Sequence, residues 1–156
     1  MSLSITPVYQ NNIDHNVRDI VTKSSWDFLR KKTYREASYR YQICDGVGKN
    51  HPVECHEIWE FGDFQKIQSL NGLIALCPSC HEVKHIGLSR LKGNLFHCLQ
   101  YLSKVNNITL RQAYDYAIYS SGLCKERNNH QWHIELSYLI QFDIEYTPKF
   151  INYYKT

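Results

Sequence analysis

The sequence predicts an α+β domain. Three observations carry that expectation. Apolar residues recur at helical spacing near both ends of the chain, short alternating or continuous apolar runs separated by turn residues occupy its middle, and 156 residues at 43% hydrophobic content suit one ordinary core. Residues 1–156 are therefore read as a single domain, with a basic helix over 13–32, a central unit over 39–87 and helical or strand support over 88–156.

The first helix rests on Val17, Ile20, Val21, Ser24 and Phe28, which fall on one face over residues 13–32. Tyr39, Tyr41 and Ile43 alternate with Arg40 and Gln42 and predict a short strand, and Gly46, Gly48, Asn50 and Pro52 mark a turn after it. An extended piece from Val53 to Trp59 leads into an irregular stretch around Gly62, Asp63, Asn71 and Gly72, and Leu73-Ile74-Ala75-Leu76 reads as a buried strand. A helix follows from about His81, with Gly87 as its stop. Leu91, Leu95, Cys98, Leu99 and Leu102 form the stripe of a helix over about 88–104, and Thr109 with Gln112 matches a capping box opening another that Gly122 ends. Trp132, Ile134, Leu136, Tyr138, Ile140 and Phe142 occupy every second position, as a strand requires, with a helix restarting at Ser137 as the alternative; Ile151 to Thr156 carry no signal.

No apolar signal segment follows Met1, and Asn11, Asn12, Asp14 and His15 interrupt the start, so the six cysteines are expected to be reduced and the protein cytoplasmic. No run of about 18 apolar residues exists to span a membrane. A net charge of +3 argues little by itself. Its distribution is uneven: Arg18, Lys23, Arg30, Lys31, Lys32, Arg35 and Arg40 outnumber Asp19, Asp27 and Glu36 in a segment that also holds Trp26, Phe28 and Tyr34. Such a segment suits a phosphate backbone, although a solvated helix face is the commoner explanation of such charges.

The stretch LCPSCHEVKH concentrates the chemistry. Cys77 and Cys80 are spaced C-x2-C, and His81 and His85 lie four apart, on one helix face one turn from each other. Upstream, VECHEIWEF puts His56 beside Glu57, so a strand, a loop, a second strand and a helix can close around one cation. Cysteine and histidine at these spacings in a reducing compartment point to metal binding. C-P-S-C-H also satisfies the c-type haem pattern, but that attachment needs export and an axial partner, and Met1 is the only methionine. His15, His51, His97, His130 and His133 are read as ordinary histidines, Cys98 and Cys124 as buried thiols, and Trp59 as core.

At ECHEI and CPSCHEVKH the chain resembles the HNH endonuclease family, whose ββα-metal (His-Me finger) motif joins a ligand-bearing strand to a ligand-bearing helix. The likeness covers residues 41–87 and implies a ββα-metal core over 39–87 flanked by N- and C-terminal helices. It implies a catalytic divalent ion (Mn, Ni, Zn or Mg, with imidazoles favouring the transition metals) on His56, His81 and His85. It further implies a structural zinc on Cys44, Cys77 and Cys80, with YQICDGVG as the upstream half of the knuckle. Tyr41 stands where that half would carry its first cysteine, so Cys55, His51, Cys98 or Cys124 must complete four ligands if the zinc is present. The family's loop asparagine falls at Gly72, with Asn71 one position out of register.

The pair has two registers. Its apolar flank, Ile58 and Trp59, favours His56 as ligand and Glu57 as general base; the rival makes His56 the base, which an unperturbed imidazole near about 6.5 suits better than a glutamate. Implied activity is metal-dependent hydrolysis of phosphodiester bonds in DNA, with RNA as the alternative backbone. Lys84 would contact a neighbouring phosphate, and Arg30, Lys31, Lys32 and Arg35 the flanking strand. Cutting both strands would take a homodimer or two visits. A zinc-stabilised nucleic-acid-binding module without cleavage is the rival function.

Overall fold

Two apolar clusters on opposite sides of one small sheet organise the molecule, which the computed structural model describes for residues 2–6, 16–47 and 53–153. The architecture is mixed α+β, as expected. The first predicted helix is two pieces, α1 (Val17–Ile20) and α2 (Lys23–Glu36), and its opening residues lie outside the described ones. Thr22 makes the break: its backbone is extended and its hydroxyl accepts the Ser25 N–H, satisfying a donor that a helix start leaves orphaned.

The strand expected at Tyr39–Ile43 is a turn. Ser38 and Tyr39 take φ of 51° and 55°, left-handed values that end α2 and cannot continue a pleat. The chain then loops back, with Asp45 N–H donating to Tyr41 O, Tyr41 N–H to Gly46 O and Gln42 N–H to Ala75 O. That last bond ties the Cys44 turn to the sheet.

β1 (Glu54–Gly62) and β2 (Ile67–Leu76) form an antiparallel hairpin, so the stretch around Gly62 to Gly72, read as irregular, is mostly sheet. Its polar residues hid it, and a bulge hid its period. Ile58 pairs with Gly72 and Trp59 with Leu70, leaving Asn71 as the extra residue. The bulge resets the alternation so that Leu70 and Leu73 both join the cluster of α1 and α2.

α3 (Pro78–Lys84) begins at Pro78 rather than near His81, because Cys77 caps it and proline suits a first helical position. Gly87 does not stop it; His85 is the joint, and Gly87 lies inside α4 (Ile86–Leu91). The predicted 88–104 helix is thus interrupted at Gly93 (φ 80°) before α5 (Leu95–Asn106). α6 (Leu110–Arg127) opens on the predicted capping box, with the Thr109 and Gln112 side chains each bonding the other's backbone. It runs through Gly122, since one exposed glycine costs only about 1 kcal/mol relative to alanine.

Alternation over 132–142 survives in β3 (His133–Glu135), which pairs parallel to β2; the alternative reading then holds, as α7 (Ser137–Ile140) restarts helix at Ser137. α8 (Pro148–Tyr153) runs into the start of the C-terminal stretch, Ile151 to Thr156, that carries no signal. On one side of the sheet Ile74 and Leu76 pack with Val83, Ile86, Leu99 and Leu102; on the other Leu70 packs with Val17, Ile20, Leu29 and Leu139. Among the described residues no helix is long and apolar enough to cross a membrane.

Candidate metal centre

Strand alternation decides which side chains of ECHEI meet α3. Glu54 and His56 point to the α3 side of the sheet, and Cys55 and Glu57 to the α1–α2 side. His56 pairs across the hairpin with Ile74, a member of the α3-side core. α3 delivers His81 and His85 to the same place, and the ring centroids stand 5.1 Å (His56–His81), 4.9 Å (His56–His85) and 4.8 Å (His81–His85) apart.

Donor atoms of the three imidazoles lie within 4.8 Å of one another. Nε2 of His81 and Nε2 of His85 are 3.2 Å apart. Two nitrogens each about 2.0–2.1 Å from one tetrahedral ion would be separated by about 3.3–3.4 Å, so the spacing suits a shared cation. His81 is fixed from behind: its Nδ1 meets Glu54 Oε2 at 2.6 Å, a carboxylate that holds the Nδ1 proton and leaves Nε2 with a lone pair. His56 is 2% exposed and its Nδ1 has no hydrogen-bond partner, an unmet demand for which a cation is a natural partner. Its Nε2 is 3.4 Å from Thr6 Oγ1.

Burial drives His56 down to about 2 and His85 down to about 4, the neighbouring imidazoles and Lys84 adding to the effect. Both rings are therefore neutral at pH 7, the form that ligates metal.

The thiols form a separate group. Sγ atoms of Cys44, Cys77 and Cys80 lie within 4.8 Å of one another, Cys44 donating to Cys77 at 3.7 Å and the Cys80 N–H to the Cys77 sulfur at 3.2 Å. Hydrogen bonds from the Cys80 thiol, from Tyr101 and from the Cys80 amide hold Cys77 well below an ordinary thiol, while Cys80, bonded to that sulfur and buried, is pushed up. LCPSCHEVKH thus contributes to two side-chain groups: its cysteines join one, its histidines the other. All six cysteines are free.

The remaining expectations divide. Glu57 is 8% exposed and faces away from the triad, its Oε1 accepting the Val17 N–H at 3.2 Å, and burial raises its pKa. The structure does not bring it to the three histidines. Arg30 pairs with Asp27 at 2.7 Å and Lys32 pairs with Glu36, whereas Lys31 and Arg35 are exposed; all four lie on α2, across the sheet from the triad. Lys84 is next to the site, but its ammonium is desolvated and donates to Ser4 Oγ at 2.7 Å. Asn71, on the bulge, donates to Glu60 Oε2 at 2.6 Å.

Of the thiols offered to complete the cysteine site, Cys55 faces α2, where Thr33 bonds it, Cys98 is bonded by Ser89, and Cys124 is half-buried on α6 rather than fully buried. His15 and His51 lie outside the described residues.

Sequence reasoning passed over Glu54, Thr6 and Tyr101. Glu54 was legible, being two positions from His56 on a strand; Thr6 and Tyr101 are brought in by tertiary packing alone. Comparison with protein-family models, with curated proteins and with solved structures gives no match, so the site is read from its own chemistry.

Proposed function

We propose that the chain is a divalent-metal-dependent endonuclease that hydrolyses phosphodiester bonds in DNA, with His56, His81 and His85 as the metal ligands. The carrying observation is the convergence of three imidazoles, one from β1, one from α3 and one from the joint that follows it, with Glu54 behind His81. Hairpin followed by helix, each bearing ligands, is the order of the ββα-metal core in the HNH family that the motifs resemble. Three neutral imidazoles favour Mn, Ni, Co or Zn over Mg. Bound there, such an ion supplies Lewis acidity toward a phosphoryl oxygen and toward water.

The chain's own residues set the surroundings. Glu54 fixes the His81 tautomer. A cavity of about 300 Å³ is lined by Ser4, Thr6, Glu57, Lys84, Tyr116 and Tyr119 among others; the three histidines do not line it, but Thr6 touches His56 and Lys84 precedes His85. Lys84 gives that wall positive charge next to His85, and aromatic walls suit a nucleotide flanking the cut. Lys31 and Arg35, exposed on α2, would hold duplex away from the cleavage point. Glu57, committed to Val17, does not act as base in this reading. A reducing, cytoplasmic setting keeps the thiols able to take metal.

Plasmid nicking with added Mn, comparing the parent with His81→Ala, tests the proposal. Metal-dependent nicking by the parent and none by His81→Ala is expected, with Mg a poor substitute. Nicking unaffected by His81→Ala, or DNA binding with no cleavage under any metal, refutes it. The latter outcome belongs to the second reading, a zinc-stabilised nucleic-acid-binding module, which the placement of Glu57 favours.

A further inference from the structure

The cysteine group has three sulfurs, and a closed structural zinc site takes four ligands. Tyr101, on α5, lies against two of the three sulfurs. Its Oη is 3.3 Å from Cys77 Sγ and 3.8 Å from Cys80 Sγ. Tetrahedral geometry makes these distances informative. With Zn–S near 2.3 Å the sulfur–sulfur edge is about 3.8 Å, and with Zn–O of about 2.0–2.2 Å the sulfur–oxygen edge is about 3.5–3.7 Å. The measured Cys44–Cys77 edge is 3.7 Å, and the two oxygen edges bracket the second value.

We infer that Tyr101 is the fourth ligand of a zinc site whose other donors are Cys44, Cys77 and Cys80. The site then links the Cys44 turn, the start of α3 and the middle of α5. Tyr101 takes the role that a second upstream cysteine would have at Tyr41, and takes it from a different element. This inference does not rest on nuclease activity: its metal is structural, and it stands whether or not the histidine site cleaves anything.

Titration with Co2+ tests it, because sulfur-to-cobalt charge transfer in the near ultraviolet reports the thiolate site separately from the histidines. The parent should show that transition together with ligand-field bands of a four-coordinate ion. Tyr101→Phe should keep the charge transfer, shift the ligand-field bands as water replaces the phenolic oxygen, and bind zinc about tenfold or more weakly in competition with a chromophoric chelator. Tyrosine-selective ultraviolet resonance Raman on the parent gives an independent reading that needs no variant: zinc should perturb one phenolic side chain. Identical ligand-field bands and affinity in Tyr101→Phe overturn the assignment, as does a parent with no charge-transfer band or no zinc-dependent phenolic signal.

Discussion

Glu54→Gln is expected to weaken Mn2+ binding at the histidine site about tenfold, equivalent to about 1.4 kcal/mol. Loss of a partner behind a ligating histidine costs about ten- to a hundredfold in affinity, and the structure places this case at the low end. The Glu54 side chain is 38% exposed and that of His81 29%, so water screens the pair, and a glutamine oxygen still accepts the Nδ1 proton. Only the charge is removed. Glu54→Ala, which also frees the ring to turn, should approach the upper end of that range. Mn2+ is the suitable probe because thiolates are poor ligands for it, and the resonance of the free ion gives bound metal directly. Equal affinity in the parent and Glu54→Ala would refute the reasoning, reducing the 2.6 Å contact to an ordinary surface pair.

Glu57→Gln should leave the nicking rate within about threefold, since the base role is worth about a hundredfold or more; a loss of that size would restore Glu57 to the chemistry. Glu57→Ala should cost about 1–3 kcal/mol of stability in urea unfolding by stranding the buried Val17 N–H. Metal-free protein should lose stability as the pH falls below about 6.5, because the unfolded His56 gains a proton that the folded ring, lowered to about 2 by burial, refuses. At pH 5 that difference is about 2 kcal/mol, with a smaller share from the half-buried His85, and a His56→Gln variant with the parent's pH slope would contradict it. Leu76→Ala, at a residue with 0% exposure beneath α3, should destabilise by about 2–5 kcal/mol, measured by urea denaturation.

Much of this was legible, and what was missed has identifiable causes. The α+β class and the order of extended segment, second strand and helix follow from the sequence pattern, and C-x2-C, H-x3-H and His56 are local features of it; Cys44 entered only through the resemblance to the HNH family. Strand length was not legible, because Gln68, Ser69 and Asn71 look like loop and the bulge at Asn71 breaks the period of two. Glu57 was chosen because the apolar flank of Ile58 and Trp59 matches the register of the resembled family, yet neighbours on a strand such as His56 and Glu57 face opposite ways. The same alternation, applied from His56 backwards, selects Glu54. Glycines were over-read as stops, since Gly87 and Gly122 both sit inside helices where flanking residues outweigh a penalty of about 1 kcal/mol. Tyr101 had no signature at all, being 21 residues from Cys80 on another helix.

The placement of the two centres bears on why a seven-residue helix can carry a site. A helix shorter than about 12 residues is marginal in water by itself, so the direction in which α3 points His81 and His85 is set by what holds its ends. At its start the Cys77 sulfur caps the Cys80 N–H, and the cysteine group joins that turn to Cys44 and Tyr101. At its end the Lys84 carbonyl accepts the Thr6 N–H, and the Lys84 ammonium donates to Ser4. Along its length Cys80 and Val83 are fully buried. His81 therefore lies on, and His85 directly after, a short rod clamped at each end, and the rod faces a strand that supplies the third ring. Under the proposed zinc site, release of that metal from the cysteine group should accordingly loosen the histidine group without touching its side chains. Mn2+ affinity at the histidines should fall in Cys80→Ser, whose side chain belongs to the cysteine group and not to the histidine group, and unchanged affinity there would show that Val83 and the Lys84 contacts orient α3 by themselves.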